Sequence, residues 1–233
     1  MPSLARRLVA EGLGTFGLVF VGAAVVVVNG GFPNSGIGLL GIALAHAVVL
    51  SVMITATMSI SGGHLNPAIT LGLLATRRIS AGSAAGYVVT QLAAAVAAAF
   101  LVKALLPIGA VRSALVGVPV IAGSMSLSQA IGLELILTFF LMSAVYGTAV
   151  SPDAPRVGGF GIGLVLLFDI LVGGPLTGAA MNPARAFGPA LVSGEWVGHG
   201  VYWVGPIAGA VLGGLLWEHF LMPRTPQRRR RTD

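Results

Sequence analysis

Cysteine is absent from this chain of 233 residues, and charged residues make up only 9% of it, against about 25% in an ordinary soluble domain. The first absence excludes disulfides, thiolate nucleophiles and cysteine-bound metal. The second excludes the charged surface that keeps a globular domain in solution. Histidine occurs four times, and the polar residues that remain supply no nucleophile with a partnered base, no metal-ligand spacing and no phosphate-binding glycine loop. Enzymatic chemistry, a catalytic residue, a resident metal and a cofactor are therefore not expected.

What the chain does contain is apolar: hydrophobic residues make up 56% and the mean hydropathy is +0.95. A membrane-spanning helix needs about 20 predominantly apolar residues. Six segments answer that description, near residues 5–28, 37–58, 81–106, 127–150, 158–174 and 200–221. The first has a basic start like a signal peptide but no small-residue cleavage site, so it reads as a retained span. This is the pattern of an all-α integral membrane protein.

The net charge of +6 would suit a nucleic-acid partner, but the positions of the cations argue against one. Arg6, Arg7, Arg77, Arg78, Arg156, Arg224 and the run Arg228 to Arg231 flank the apolar segments or lie in the C-terminal tail. They mark the cytoplasmic side of a multi-pass protein, expected in the cell membrane with both termini cytoplasmic, and the tail reads as an anchor on anionic lipid. Lys103, Arg112 and Arg185 are the three cations outside that set.

The chain repeats itself. "SGGHLNPAIT" (61–70) and "TGAAMNPARA" (177–186) share Asn-Pro-Ala, with the two asparagines 116 residues apart. "EGLGTF" from Glu11 matches "ELILTF" from Glu134, and "YVVTQLAAAVAAA" from Tyr87 matches "YWVGPIAGAVLGG" from Tyr202. Halves of about 1–115 and 116–233 each hold three spans. An odd number sends the two halves into the membrane from opposite sides, as an inverted repeat within one domain, 1–233.

The shared tripeptide has a local physical meaning. Asn is a good N-cap, because its side-chain oxygen accepts an unpaired N–H of the first turn. Pro follows at the one helical position where its missing N–H costs nothing. Asn66-Pro67-Ala68 and Asn182-Pro183-Ala184 therefore start helices, each about ten residues long and too short to span. Inversion brings the two N-termini together near the membrane centre. Positive dipole ends and two amide NH2 groups then face one point, where they donate to a passing oxygen and oppose a cation. The irregular backbone before each start, at Gly62, Gly63 and His64 and at Gly178, Ala180 and Met181, is tolerated at that depth only when buried in protein or lining a wet cavity. His64 fits either description.

With these features the sequence resembles the major intrinsic protein family, the aquaporins and aquaglyceroporins, over essentially its whole length. The resemblance rests on both Asn-Pro-Ala boxes, the "SGGHLNPA" context, "NPARAFGPA" and the glutamate in the first span of each half. It implies six transmembrane helices, two re-entrant half-helices and a homotetramer with a path through each subunit. It implies further a passive water channel that excludes protons and ions. The family's outer constriction falls, by position relative to the two boxes, on His46, Ile170, Ala179 and Arg185. This set differs from the Phe, His, Cys or Thr, and Arg of orthodox water channels and looks like that of tonoplast intrinsic proteins. Ammonia, hydrogen peroxide and urea are the small neutral solutes implied besides water, although ammonia is weakened because no histidine lies between residues 65 and 198. A glycerol-type facilitator is a poorer match, since Ala186, Ala190, Tyr202 and Trp203 stand where such proteins typically carry Asp, a basic residue, Pro and an aliphatic residue.

Glu11 and Glu134 are intramembrane carboxylates, and such groups suggest function by default. Their equivalent positions favour a structural task, hydrogen bonding to the irregular backbone before each half-helix, and Gln91 reads the same way. An ion-coupled secondary transporter would use those glutamates to carry protons or ions, and a closed junction-type protein would pass little. Asp169 has no counterpart in the other half and reads as solvated or paired.

Overall fold

The computed structural model describes residues 2–223; Arg224 and the arginines at 228–231, read above as a lipid anchor, lie outside them. The first span, α1 (Leu4–Gly31), is followed by α2 (Gly38–Ser61) and by the short α3 (Pro67–Ala75). Next come α4 (Ala81–Leu105), a six-residue α5 (Ile108–Ser113) and α6 (Leu127–Val145). The chain closes with α7 (Phe160–Thr177), the second short helix α8 (Pro183–Ser193), and α9 (Val201–Leu216). One π-helical turn extends α6 over Tyr146–Val150 and another extends α9 over Trp217–Leu221. Six of these helices are long and apolar enough to cross a membrane.

Serine side chains start three of the spans. Ser3, Ser80 and Ser126 each accept a backbone N–H of the first turn, and Gln129 returns the bond to Ser126 as a capping box. Three helices end three residues beyond the sequence reading: α1 at Gly31, where 28 is expected, α2 at Ser61, where 58 is expected, and α7 at Thr177, through Pro175, where 174 is expected. A proline this near the C-terminus removes a single ladder bond. Thr177 is fixed from outside the helix, its hydroxyl donating to Glu134 Oε1 at 2.7 Å.

The packing follows one scheme twice. α1 lies against α2 and α4, and α6 lies against α7 and α9; α2 and α7 join the two sets. The short helices cross over, α3 packing on α9 and α8 on α4, so each leans on the last span of the opposite half. Without water to drive helices together, close approach of backbones has to supply the association. Gly205, Gly209 and Gly213 form a row on α9 facing α6, where side chains at the first two would meet the carbonyls of Ile131 and Leu135. The largest buried apolar cluster, including Leu18, Leu50, Ile54, Leu141 and Leu166, surrounds the space between the halves.

Candidate functional site

Asn66 and Asn182 end their loops in extended backbone and cap the short helices. Asn66 Oδ1 accepts from the N–H of Ala68 at 2.8 Å, and Asn182 Oδ1 accepts from Ala184 at 3.0 Å and Arg185 at 3.3 Å. Pro67 and Pro183 occupy the first helical position. The amide nitrogens are shared between halves: Asn66 Nδ2 donates to the Met181 carbonyl at 2.8 Å, and Asn182 Nδ2 donates to the Leu65 carbonyl at 2.9 Å. Each NH2 carries two hydrogens, so one tethers the opposite loop and one is left to face the space between. The loops are thus cross-braced at their tips.

The loops hold matching conformations. Gly62, Gly63 and Leu65 have left-handed φ of 95°, 63° and 49°; Gly178, Ala179 and Met181 have 79°, 45° and 52°. For Leu65, Ala179 and Met181 that conformation costs on the order of 1 kcal/mol or more each, and hydrogen bonds hold it. Glu11 Oε1 accepts from the Ser61 hydroxyl at 2.7 Å and the His64 N–H at 2.9 Å. Its Oε2 accepts from the Leu65 N–H at 2.7 Å and Gln91 Nε2 at 2.8 Å. In the other half, Glu134 Oε1 accepts from the Thr177 hydroxyl and from Ala180 N–H at 2.9 Å, and Oε2 from Met181 N–H at 2.7 Å. Tyr87 and Tyr202 donate to the carbonyls of Ser61 and Thr177 at 2.7 and 2.8 Å. With the loop N–H groups drawn back onto buried carboxylates, the loop carbonyls are left on the opposite side.

That side is a path. Three cavities share lining residues from one face to the other. One of about 210 Å³, at one mouth, is bordered by His46, Ile170, Gly178 and Arg185 together with Val118 and Pro119. A central one of about 20 Å³ takes in His46, Ile170, Ala179 and Arg185 at one end, then Asn66, Asn182, Ala180 and Met181, then Gly63 and His64. The third, about 320 Å³, at the other mouth, continues past Gly62, Gly63 and His64 to Arg78. A volume near 20 Å³ admits on the order of one or two water centres, so its contents stand in file.

His46, Ile170, Ala179 and Arg185 all border the narrow part, at the end that adjoins the 210 Å³ cavity. Arg185 is 5% exposed, and its Nη1 donates to the Gly117 carbonyl at 2.9 Å, leaving other guanidinium hydrogens toward the path. His46 Nδ1 lies 2.9 Å from the Ile42 carbonyl; a carbonyl only accepts, so Nδ1 carries the hydrogen. The far edge of the ring rests against Gly22, where a Cβ would stand 2.5 Å from Nε2. His64 both borders the path and pins the loop, through Nδ1 at 3.1 Å from Thr70 Oγ1 and an edge contact to Tyr87.

Asp169 departs from the sequence reading. It is neither solvated nor paired: it is 1% exposed and both carboxyl oxygens lack a partner among the described residues. Residues with no signal in the motif also shape the path. Gly117 orients Arg185, Gly22 makes room for His46, and the walls are rows at four-residue spacing: His46, Leu50 and Ile54; Ile162, Leu166 and Ile170; Leu141 and Val145. Such rows in the sequence are indistinguishable from a face turned to lipid or to another helix. Among the described residues no group of three His, Cys, Asp or Glu is placed to hold a metal ion.

Comparison with known proteins agrees with this architecture. The family model described as "Major intrinsic protein" matches residues 1–217. Aquaporin TIP4-4 of Zea mays is 43% identical over 224 residues, 93% of this chain and 87% of its own length. Aquaporin TIP4-1 of Arabidopsis thaliana is 44% identical over 229 residues, 96% and 89%. Among solved structures, the aquaglyceroporin from Plasmodium falciparum superposes with a TM-score of 0.85 at 24% identity, covering 94% of this chain and 97% of its own, which speaks to the fold alone. With the family match running from the first residue through α9, and the two capped half-helices meeting at a narrow path, this chain is a member of the major intrinsic protein family.

Proposed function

We propose that the chain is a passive water channel, with transport and no enzymatic chemistry. The observation that carries this reading is the crossed pair of asparagine caps at the centre of a path too narrow for more than single file. A water oxygen arriving there meets the remaining amide N–H of Asn66 and of Asn182. Two half-helix N-termini point at it, so their dipoles oppose a cation or a protonated water chain. Arg185 adds a permanent positive charge at the outer end. On the same stretch of the path Ile170 is apolar and Ala179 small, which leaves a mouth open to hydrogen peroxide and urea besides water, and to ammonia less so.

A homotetramer with a path in each subunit follows from the family resemblance, and the exposed apolar row Leu40, Leu44, Val48 and Val52 on α2, with Phe168, Leu171 and Val172 on α7, is a face open to lipid or to a second subunit. The flanking arginines support both termini on the cytoplasmic side; placement in the cell membrane and one channel unit over 1–233, halved near 115, complete the reading. A tagged chain recovered with internal membranes, or a terminus labelled from outside, contradicts that placement.

Proteoliposomes given an osmotic step test the function. They are expected to shrink fast with a low activation energy, and a saturable flux driven by a proton gradient would replace the channel with a coupled transporter. Fluxes of water, glycerol, urea, ammonia and peroxide are then compared with those of the double variant His46→Phe, Ile170→His. If solute selectivity is unchanged, the assignment of the outer constriction is wrong.

A further inference from the structure

α4 begins beside Arg77 and Arg78 and ends at the other face of the membrane. There Lys103, in its last turn, and Arg112, in the last turn of α5, border one cavity of about 280 Å³ that also takes in Ser193 at the end of α8. The rest of its wall is aliphatic: Ile108, Val111, Leu115 and Val116. Lys103 Nζ spends one hydrogen on the Val192 carbonyl at 3.2 Å, leaving two. Arg112 makes no side-chain hydrogen bond among the described residues, and the ion pair found among them is Arg78–Glu218, at the opposite face. Two cations thus share a cavity whose other walls are greasy and which holds no anion of its own. Phe100, Leu101, Leu105 and Ile108 beside it are all exposed, so the cavity continues onto a surface made for acyl chains.

We propose that this cavity binds the headgroup of an anionic phospholipid. The phosphate lies between Lys103 and Arg112, the guanidinium offering two parallel N–H donors. Ser193 borders the same cavity with its hydroxyl turned back on the chain, donating to the Ala190 carbonyl at 3.4 Å and accepting from the Glu195 N–H at 3.2 Å, and the acyl chains descend along Leu105 and Phe100. A free phosphate would leave four aliphatic walls unused, and a zwitterionic lipid would bring its own cation to two more. The lining therefore selects an anion that carries hydrocarbon.

Native mass spectrometry of the delipidated channel, titrated with phosphatidylglycerol or with phosphatidylcholine of the same chains, tests this. Phosphatidylglycerol is expected to bind more tightly. Lys103→Ala and Arg112→Gln should each weaken it roughly fivefold, from about 1 kcal/mol per cation near a membrane surface, with phosphatidylcholine unchanged. Arg112→Gln removes no contact within the fold and so decides the matter even where Lys103→Ala, which uncaps α8, fails to assemble. A preference for phosphatidylglycerol that survives in Arg112→Gln, or first-bound lipid displaced by inorganic phosphate, overturns the proposal. Osmotic water permeability of Arg112→Gln should stay native, so this test and that of the channel itself fail separately.

Discussion

Gly22 has no side chain where the imidazole of His46 needs the room. In Gly22→Ala the new methyl meets Nε2 and drives the ring toward Arg185, closing the mouth. Crowding of this kind costs about 1–3 kcal/mol, and if even half appears as a barrier, stopped-flow water permeability falls by several-fold to tenfold. Permeability equal to the native channel would mean that the ring is free to move and does not limit the path. Ala179 belongs to the same scale. It borders the narrow part, and with no cysteine in the chain the native channel should ignore mercurials, whereas Ala179→Cys should become sensitive. An insensitive Ala179→Cys would place Ala179 off the path, and a native channel blocked by mercurials would show an action that needs no thiol. The counting that pointed to these positions was possible because it starts from two unmistakable asparagines. Gly22 and the Gly117 carbonyl left no trace, since a glycine in a span and a carbonyl in a loop look the same whatever they touch. Asp169 was visible as an oddity in an apolar run, but its isolation from donors is a property of the surrounding helices.

The two half-helix loops are the elements on which the site depends, and each is hung from one buried carboxylate. Glu134 accepts three hydrogen bonds from its loop and its helix end. Glu134→Gln keeps the shape but turns one acceptor into an NH2 group facing a donor. A buried donor left unsatisfied costs about 1–3 kcal/mol, so thermal unfolding in detergent should come several degrees earlier, with a matching effect for Glu11→Gln. An unchanged transition would show that the loops are held by the crossed asparagines alone. The caps themselves were legible, because Asn accepts from N–H groups two and three residues on and Pro brings no N–H of its own to the first turn. Their crossing was not: Asn66 to Met181 and Asn182 to Leu65 join residues more than a hundred positions apart. The same holds at the inner end of α3. There Arg78 meets Glu218 at 2.8 Å through two nitrogens, and Tyr146 donates to Thr76, tying the half-helix to both π-helical turns.

For the whole molecule, the face formed by the loop between α8 and α9 carries a pH dependence of its own. His199 precedes α9 within a cluster of Phe187, Trp196 and Trp203, and its Nε2 accepts from Trp203 Nε1 at 3.1 Å. Burial holds its pKa below the ordinary 6.5. The folded state therefore favours the neutral ring, and the stability this contributes is complete above pH 6.5 and is lost as pH falls through the lower folded value. The melting temperature should drop between pH 7 and 5 by an amount that His199→Gln abolishes; an equal drop in both proteins would assign the effect elsewhere.

By itself the sequence determined the class of the molecule, because scarce charge and six long apolar runs admit few other solvents than lipid. It determined also where two short helices start, because capping is chemistry between neighbours in the chain. The tertiary structure decided how those starts meet, which amide hydrogens are spent on the opposite loop, which rows of aliphatic residues face water instead of lipid, and how wide the path is. These follow from contacts between the halves, and a membrane sequence carries little record of them: with lipid on the outside, buried and exposed faces are equally apolar, so hydrophobic pattern no longer tells inside from out.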